Sequence, residues 1–232
     1  MSARPIVLSA PMVRAILAGT KTQVRRPIGL PTLKPSATAG YDWTFRGLGG
    51  ARTIARHQRH PRGCWQDLRA ADFFKLCPHG APGDLLWVRE TWAYYGGDEY
   101  LYQREPGAVA YRASYDEDTR IPIHMRLIGY VPGGRWRPSI HMPQWASRLT
   151  LRVTSVRVER LREITEEDAR AEGFAPSPHP SLHGVTVSAR HAFARTWHEM
   201  HGDGFAIVEG SPQWNANPWV WVLGFERVGG AS

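Results

Sequence analysis

Apolar and polar positions alternate most regularly between Arg148 and Val158, where Leu149, Leu151 and Val153 occupy every second place. A period of two marks a half-buried strand, because successive side chains leave opposite faces of the backbone. The run continues through Val156 and Val158 in the other phase, so a change such as a bulge is expected near Ser155. Four further segments read as strands: Pro5–Leu8 as a short buried strand, Asp84–Glu90 opened by the Pro82-Gly83 turn, Val109–Ala113, and the mostly apolar Trp219–Phe225. Helical spacing occurs three times. Val13, Ile16 and Leu17 give the stripe of a brief helix from Pro11 to Ala18, with Gly19 at the position that follows a helix end. Thr165-Glu166-Glu167-Asp168 resembles a capping box and predicts a short helix ending at Gly173. Ser188–His201 sets Ala189, Phe193, Trp197 and Met200 on one stripe and stops at Gly202.

Separated strands with two or three short helices predict an α+β protein on a small curved sheet or barrel. From Pro27 to Pro82 no period lasts, while Pro, Gly and Arg are frequent. That stretch is read as an irregular insertion at about 28–82 within a single domain spanning 1–232. Pro132-Gly133-Gly134 marks a further turn.

Composition narrows the function classes. A hydrophobic content of 42% suffices for a sizeable core, and a formal net charge of +8 favours polyanions, with nucleic acid or nucleotide foremost. The basic residues are mostly arginines dispersed along the chain, which argues against a basic tail. Ten tryptophans supply flat faces that fill cores or stack on bases. Cys64 and Cys77 are too few for a disulfide framework, so a reducing cytoplasm is the expected compartment. Met1–Leu8 lacks the apolar stretch of a secretory leader, and no apolar run reaches membrane-spanning length. The expectation is a soluble protein with no membrane partner.

The candidate chemistry centres on Gly19-Thr20-Lys21-Thr22-Gln23-Val24-Arg25-Arg26. In an extended run Lys21 faces one side and Thr20 and Thr22 the other. A lysine stripped of solvent can activate a nucleophile; the competing reading is a solvated basic turn. Glu172 falls in the last turn of the Thr165 helix, where the negative end of the helix dipole disfavours a carboxylate by about 0.3–1 kcal/mol. A glutamate so placed suits proton donation to a leaving group, against the alternative of an exposed helix former. Glu90, between Trp87 and Trp92, could hydrogen-bond a base edge or pair with Arg89 or another surface arginine. The two indoles fill the core or offer a stacking platform. His141, in the Pro-bounded Ser139–Pro143 segment, either lines a pocket or is structural. His57, His60, Cys64, Cys77 and His79 cluster in sequence but lack a CxxC knuckle, and no metal site is assigned. Phosphate-binding, dinucleotide and nucleophile-elbow motifs are absent, so no cofactor is expected.

In combination these segments resemble the ASCH domain, a PUA-like β-barrel group associated with RNA and modified nucleobases. The resemblance is carried by Ser9–Arg26, by Cys77–Gly80 and Pro82–Trp92, by Trp136–Pro143, by the Ile164–Gly173 helix and by Asn217–Val222. It is similar to the larger phage-type members and implies a PUA-like barrel with a few short flanking helices. Small members are N4-acetylcytidine amidohydrolases with a catalytic lysine, threonine and glutamate. By motif position the lysine falls on Lys21 and the glutamate on Glu172, while the threonine position holds Val24. Thr22 is the nearest substitute nucleophile, Thr20 and Ser9 are weaker ones, and water is the other choice. The implied activity is metal-independent removal of the acyl group from N4-acylated cytosine or cytidine. Thr22 or water would attack, Glu172 would protonate the leaving amine, and Arg26 or backbone amides would stabilise the oxyanion. The implied partner is a nucleoside, a nucleobase or RNA. The alternatives are a single-stranded RNA-binding module and a ribonuclease of the ASCH type.

Overall fold

The computed structural model describes residues 3–28, 44–46, 54–58, 65–68, 77–94, 109–115, 136–178, 183, 186–202 and 213–229; for 44–46, 54–58, 65–68 and 94 it describes the backbone alone. The Pro132–Gly134 turn and most of the 28–82 stretch lie outside the described residues. The class is α+β. The elements in chain order are β1 (Arg4–Val7), α1 (Ala10–Leu17), β2 (Gln23–Pro27), β3 (Thr44–Arg46), β4 (Ile54–Gln58), β5 (Trp65–Leu68), β6 (Leu85–Arg89), β7 (Trp92–Tyr94), β8 (Val109–Tyr111), β9 (Thr150–Arg160), α2 (Glu166–Ala171), β10 (Ser177–Pro178), β11 (Thr186–Val187), α3 (Ala189–His201) and β12 (Trp219–Val228). Five strands form one sheet in the order β1-β6-β9-β12-β2, with β1 parallel to β6 and the β6–β9 and β12–β2 pairs antiparallel. Within the 28–82 stretch, β3, β4 and β5 make an antiparallel sheet of their own.

The chain divides into two compact units, one of Met1–Gly19, Asp84–Arg152 and Glu226–Ser232, the other of Thr20–Gly83 and Val153–Phe225. In the first, the expected buried strand at Pro5–Leu8 is buried only at Ile6 and Leu8, whereas Pro5 and Val7 are exposed. Alternate residues of a strand face opposite ways, so only every second one is buried, and at the sheet edge a proline without an N–H is tolerated. α1 buries Val13 and Ile16, one turn apart, and leaves Leu17 exposed because the stripe of so short a helix is narrower than the spacing predicts. β7 and β8 pair as an antiparallel ladder, and Trp92, Met142 and Ala146 form a core with Val109, Tyr111 and Trp145 against it.

In the second unit, α2 and α3 begin and end where the sequence predicts. Thr165 accepts from the Asp168 backbone N–H and the Asp168 side chain returns the contact, giving the reciprocal cap. Ser188 caps α3, and Gly173 and Gly202 leave the two helices at φ of 92° and 74°. α3 buries Ala189, Phe193 and Trp197 against Leu161, Ile164, Ala169, Val220 and Val222. Met200, expected on the same stripe, is 47% exposed at the end of the helix, beyond the reach of that cluster. Burial along β9 switches phase at Thr154–Ser155, both exposed, between Leu151 and Val153 on one side and Val156 and Val158 on the other. Gly224 of β12 lies against this point: a Cβ there would sit 2.4 Å from Ser155 Oγ. Only glycine fits without displacement.

Candidate active site

The candidate site is built where the chain enters β2. Gly19, at φ 74°, turns the chain out of α1, a geometry that costs glycine little. Lys21 then forms an isolated antiparallel bridge with Glu172, the residue that caps the C-terminus of α2. On either side of it the Thr22 N–H donates to the Ala171 carbonyl at 2.8 Å, and the Thr22 carbonyl accepts from the Phe225 N–H at 2.9 Å. Strand alternation therefore sends Lys21, Gln23 and Arg25 to one face, and all three are buried.

Lys21 Nζ donates twice to one residue: to Glu172 Oε2 at 2.6 Å and to the Glu172 carbonyl at 2.9 Å. The second bond satisfies one of the carbonyls that a helix end leaves without a partner. Both residues are almost sealed, at 2% and 4% exposure. The other carboxylate oxygen, Oε1, accepts from Arg25 Nη1 at 3.2 Å. Arg25 Nη2 reaches Glu159 Oε2 at 2.9 Å and Asp168 Oδ2 at 3.0 Å. Arg157 closes the network: Nη2 donates to Asp168 Oδ1 at 2.6 Å, Nη1 to Gln23 Oε1 at 2.9 Å, and Nε to Glu159 Oε1. Gln23 Nε2 completes it with a 3.2 Å bond to Asp168 Oδ1.

Burial sets the electrostatics. Loss of solvent pushes the Lys21 ammonium below its ordinary value; Glu172 opposes the shift, and the like charges of Arg26 and Arg25 add to it. The half-buried Arg26 is likewise pulled down by burial and held up by Glu172, which puts its charge within reach of the pair. Burial also works against ionisation of Asp168, yet Arg25, Arg157 and the Gln23 and Thr165 hydrogen bonds hold its carboxyl below the usual range. A sealed lysine that is easier to deprotonate, 2.6 Å from a carboxylate, is an arrangement that can move a proton.

Thr22 is exposed, on the opposite face from Lys21, and its hydroxyl makes no hydrogen bond among the described residues. Val24 is buried. The remaining predicted residues belong to the other unit. Glu90 is 1% exposed and held in a bidentate pair by Arg148, Nε to Oε1 and Nη2 to Oε2, each at 2.9 Å. Burial raises the Glu90 carboxyl above its ordinary value, with Arg148 opposing. The Glu90 backbone N–H reaches Met142 Sδ at 3.3 Å, and Arg148 lies 4.1 Å from the centre of the Tyr111 ring and bonds Ser114 Oγ at 2.8 Å. Trp92 is buried in its core cluster, edge-on to Trp145 and faced by Arg137; Trp87 is buried with Arg89 over its ring at 4.7 Å. His141 is exposed in a 3-10 turn at Ser139–His141.

Comparison with family models, curated proteins and solved structures finds no match to this chain. Among the described residues no group of three or more His, Cys, Asp or Glu could hold a metal ion. His57, His60 and Cys64 lie outside the residues whose side chains are described. Among the described residues no helix is long and apolar enough to cross a membrane.

Sequence reasoning missed Arg25, Arg157, Glu159 and Asp168 as members of the site. One signal was present: Lys21, Gln23 and Arg25 share the parity of a single strand face, which is odd for a face carrying two cations unless carboxylates cover it.

Proposed function

We propose that this protein is an amidohydrolase that removes the acyl group from N4-acylated cytosine or cytidine, on a PUA-like barrel of the ASCH type. The observation that carries the reading is the sealed Lys21–Glu172 pair, formed by the two residues that the sequence resemblance selects from positions 151 apart. Transfer of the shared proton from Lys21 Nζ to Glu172 Oε2 leaves a neutral amine and a neutral acid, which are the base and the acid that amide hydrolysis needs. Water is the favoured nucleophile, since Thr22 lies on the other strand face. Lys21 takes one proton from that water as its oxygen bonds to the acyl carbon. Arg26, whose charge acts on the pair, stabilises the oxyanion. The C–N4 bond then breaks as Glu172 delivers its proton to the leaving nitrogen, giving a carboxylic acid and the free amine. Lys21 is left as the ammonium and Glu172 as the carboxylate, the pair from which the next turnover starts. No cofactor enters these steps.

Incubation of the purified protein with N4-acetylcytidine, followed by ultraviolet absorbance, tests the reading: turnover by wild type and its loss in Lys21→Ala are expected. Absence of turnover by wild type on acetylated base, nucleoside and RNA alike would remove the proposal. A second reading, binding of single-stranded RNA, is favoured by the net charge of +8. Affinity that falls steeply with salt marks that case, whereas attack on a neutral nucleoside is nearly independent of salt.

A further inference from the structure

Arg25 is a fully buried cation that the reaction above does not use. Its side chain is 0% exposed, and its two terminal nitrogens are divided among three carboxylates on three elements: Glu172 after α2, Asp168 within α2 and Glu159 on β9. A guanidinium is planar and has several donors in fixed directions, so it can bridge these groups where a lysine ammonium cannot. The partners are themselves fixed, Asp168 by Arg157, Gln23 and the α2 cap, Glu159 by Arg157. The ring of Phe193 on α3 lies 5.9 Å from the guanidinium carbon and closes the remaining side.

We propose that Arg25 is the positioning residue of the Lys21–Glu172 pair: it occupies Glu172 Oε1, so that Oε2 alone is presented to Lys21. Its charge also acts on the neighbouring ammonium. The inference rests on the amidohydrolase reading for its catalytic consequence and not for its electrostatic one. The charges facing Lys21 are Glu172 from the end of α2 and Arg25 and Arg26 from β2. Arg26 in turn acts on His201 at the end of α3. Removing Arg25 takes away a like charge and leaves Asp168 and Glu159 less neutralised; both changes favour a protonated Lys21. Replacing it by lysine keeps the charge but loses the bridge.

The test separates the two effects. The chain has three lysines, Lys21, Lys34 and Lys75, so their side-chain NMR signals are few enough to assign with Lys21→Met as the reference. In Arg25→Gln the Lys21 titration midpoint is expected to move to higher pH, and in Arg25→Lys to stay near that of wild type. With N4-acetylcytidine, kcat is expected to fall on the order of 100-fold in both variants with KM little changed, and the limb of the pH profile that reports Lys21 to move only in Arg25→Gln. An unmoved midpoint in folded Arg25→Gln, or full kcat in Arg25→Lys, overturns the proposal. Should Arg25→Gln not fold, Asp168→Asn decides by NMR alone: uncovering the charge of Arg25 must lower the Lys21 midpoint, and a midpoint that stays put overturns the proposal. If wild type shows no turnover, the amidohydrolase reading fails while the titrations still decide the role of Arg25.

Discussion

Glu172 holds Lys21 by its carboxylate, by its own carbonyl and by a backbone bridge, so the side chains meet because the two backbones already do. The pair is thus set by the fold and not by two long side chains finding one another. Its placement at a helix C-terminus also explains how a glutamate is tolerated there: the ammonium covers both the carboxylate and the exposed carbonyl, offsetting the unfavourable dipole.

Loss of either partner should abolish the chemistry while sparing the fold to different degrees. Lys21→Ala and Glu172→Gln are expected to lower the rate of N4-acetylcytidine deacylation by roughly 10²–10⁴-fold, the range for a positioned acid or base. Lys21→Ala also leaves the Glu172 carboxylate with Arg25 as its remaining partner and should cost about 1–3 kcal/mol of stability. Absorbance kinetics and urea unfolding read the two effects; a rate within a factor of three of wild type in both variants would exclude the pair from the reaction.

The buried lysine makes stability depend on alkaline pH. Because the Lys21 ammonium is held below its ordinary value of 10.5 when folded, the unfolded chain binds more protons between the folded value and 10.5. Wild type should therefore gain stability as pH rises through that window, relative to Lys21→Met, which has nothing to titrate. Urea midpoints of the two proteins at a series of alkaline pH values check this, and parallel curves would contradict it.

Glu90 predicts the opposite slope in acid. Its carboxyl is raised above 4.5 in the folded state, so the folded chain binds the proton more tightly. Its contribution is fully present below pH 4.5 and is lost as pH rises through the folded value. Relative to Glu90→Gln, wild type should be most favoured at the acid end, measured by thermal unfolding from pH 3.5 upward (about one unit either side of the ordinary carboxylate value). An advantage that grows toward neutral pH would show that Arg148 outweighs burial.

Gly224 offers a test of packing independent of the site. Gly224→Ala places a methyl 2.4 Å from Ser155 Oγ and 3.1 Å from Thr154 Oγ1, and should destabilise by about 1–3 kcal/mol. Adding Ser155→Ala removes the closest atom and should recover most of the loss, because the pair is coupled. Additive losses in the double variant would mean that the strain lies elsewhere.

Legibility followed locality. The helices 166–171 and 189–201 and the long strand 150–160 were readable because their caps, periods and stop residues lie within a few residues of one another. Lys21 and Glu172 were selected by motif, not by period, and nothing between them in sequence announces the contact. Arg25 went unnoticed because Arg25-Arg26 reads as a basic pair, and its three partners lie 134, 143 and 147 residues away. For Glu90 the second of the two expected partners holds: neighbouring residues on a strand face opposite ways, so Arg89 is excluded, and the partly exposed Arg148, 58 residues on, takes both oxygens. Met200 and Leu17 were placed inside by spacing, which counts helical turns but not where the covering residues stop.

The network around Glu172 sets three cations, Lys21, Arg25 and Arg157, against three carboxylates, Glu172, Glu159 and Asp168. Taken together these six groups contribute nothing to the excess positive charge of the chain, which is carried by residues elsewhere. Any long-range pull on a polyanion therefore originates outside these six groups, and the charge left over beside them is that of Arg26, which acts on both Lys21 and Glu172.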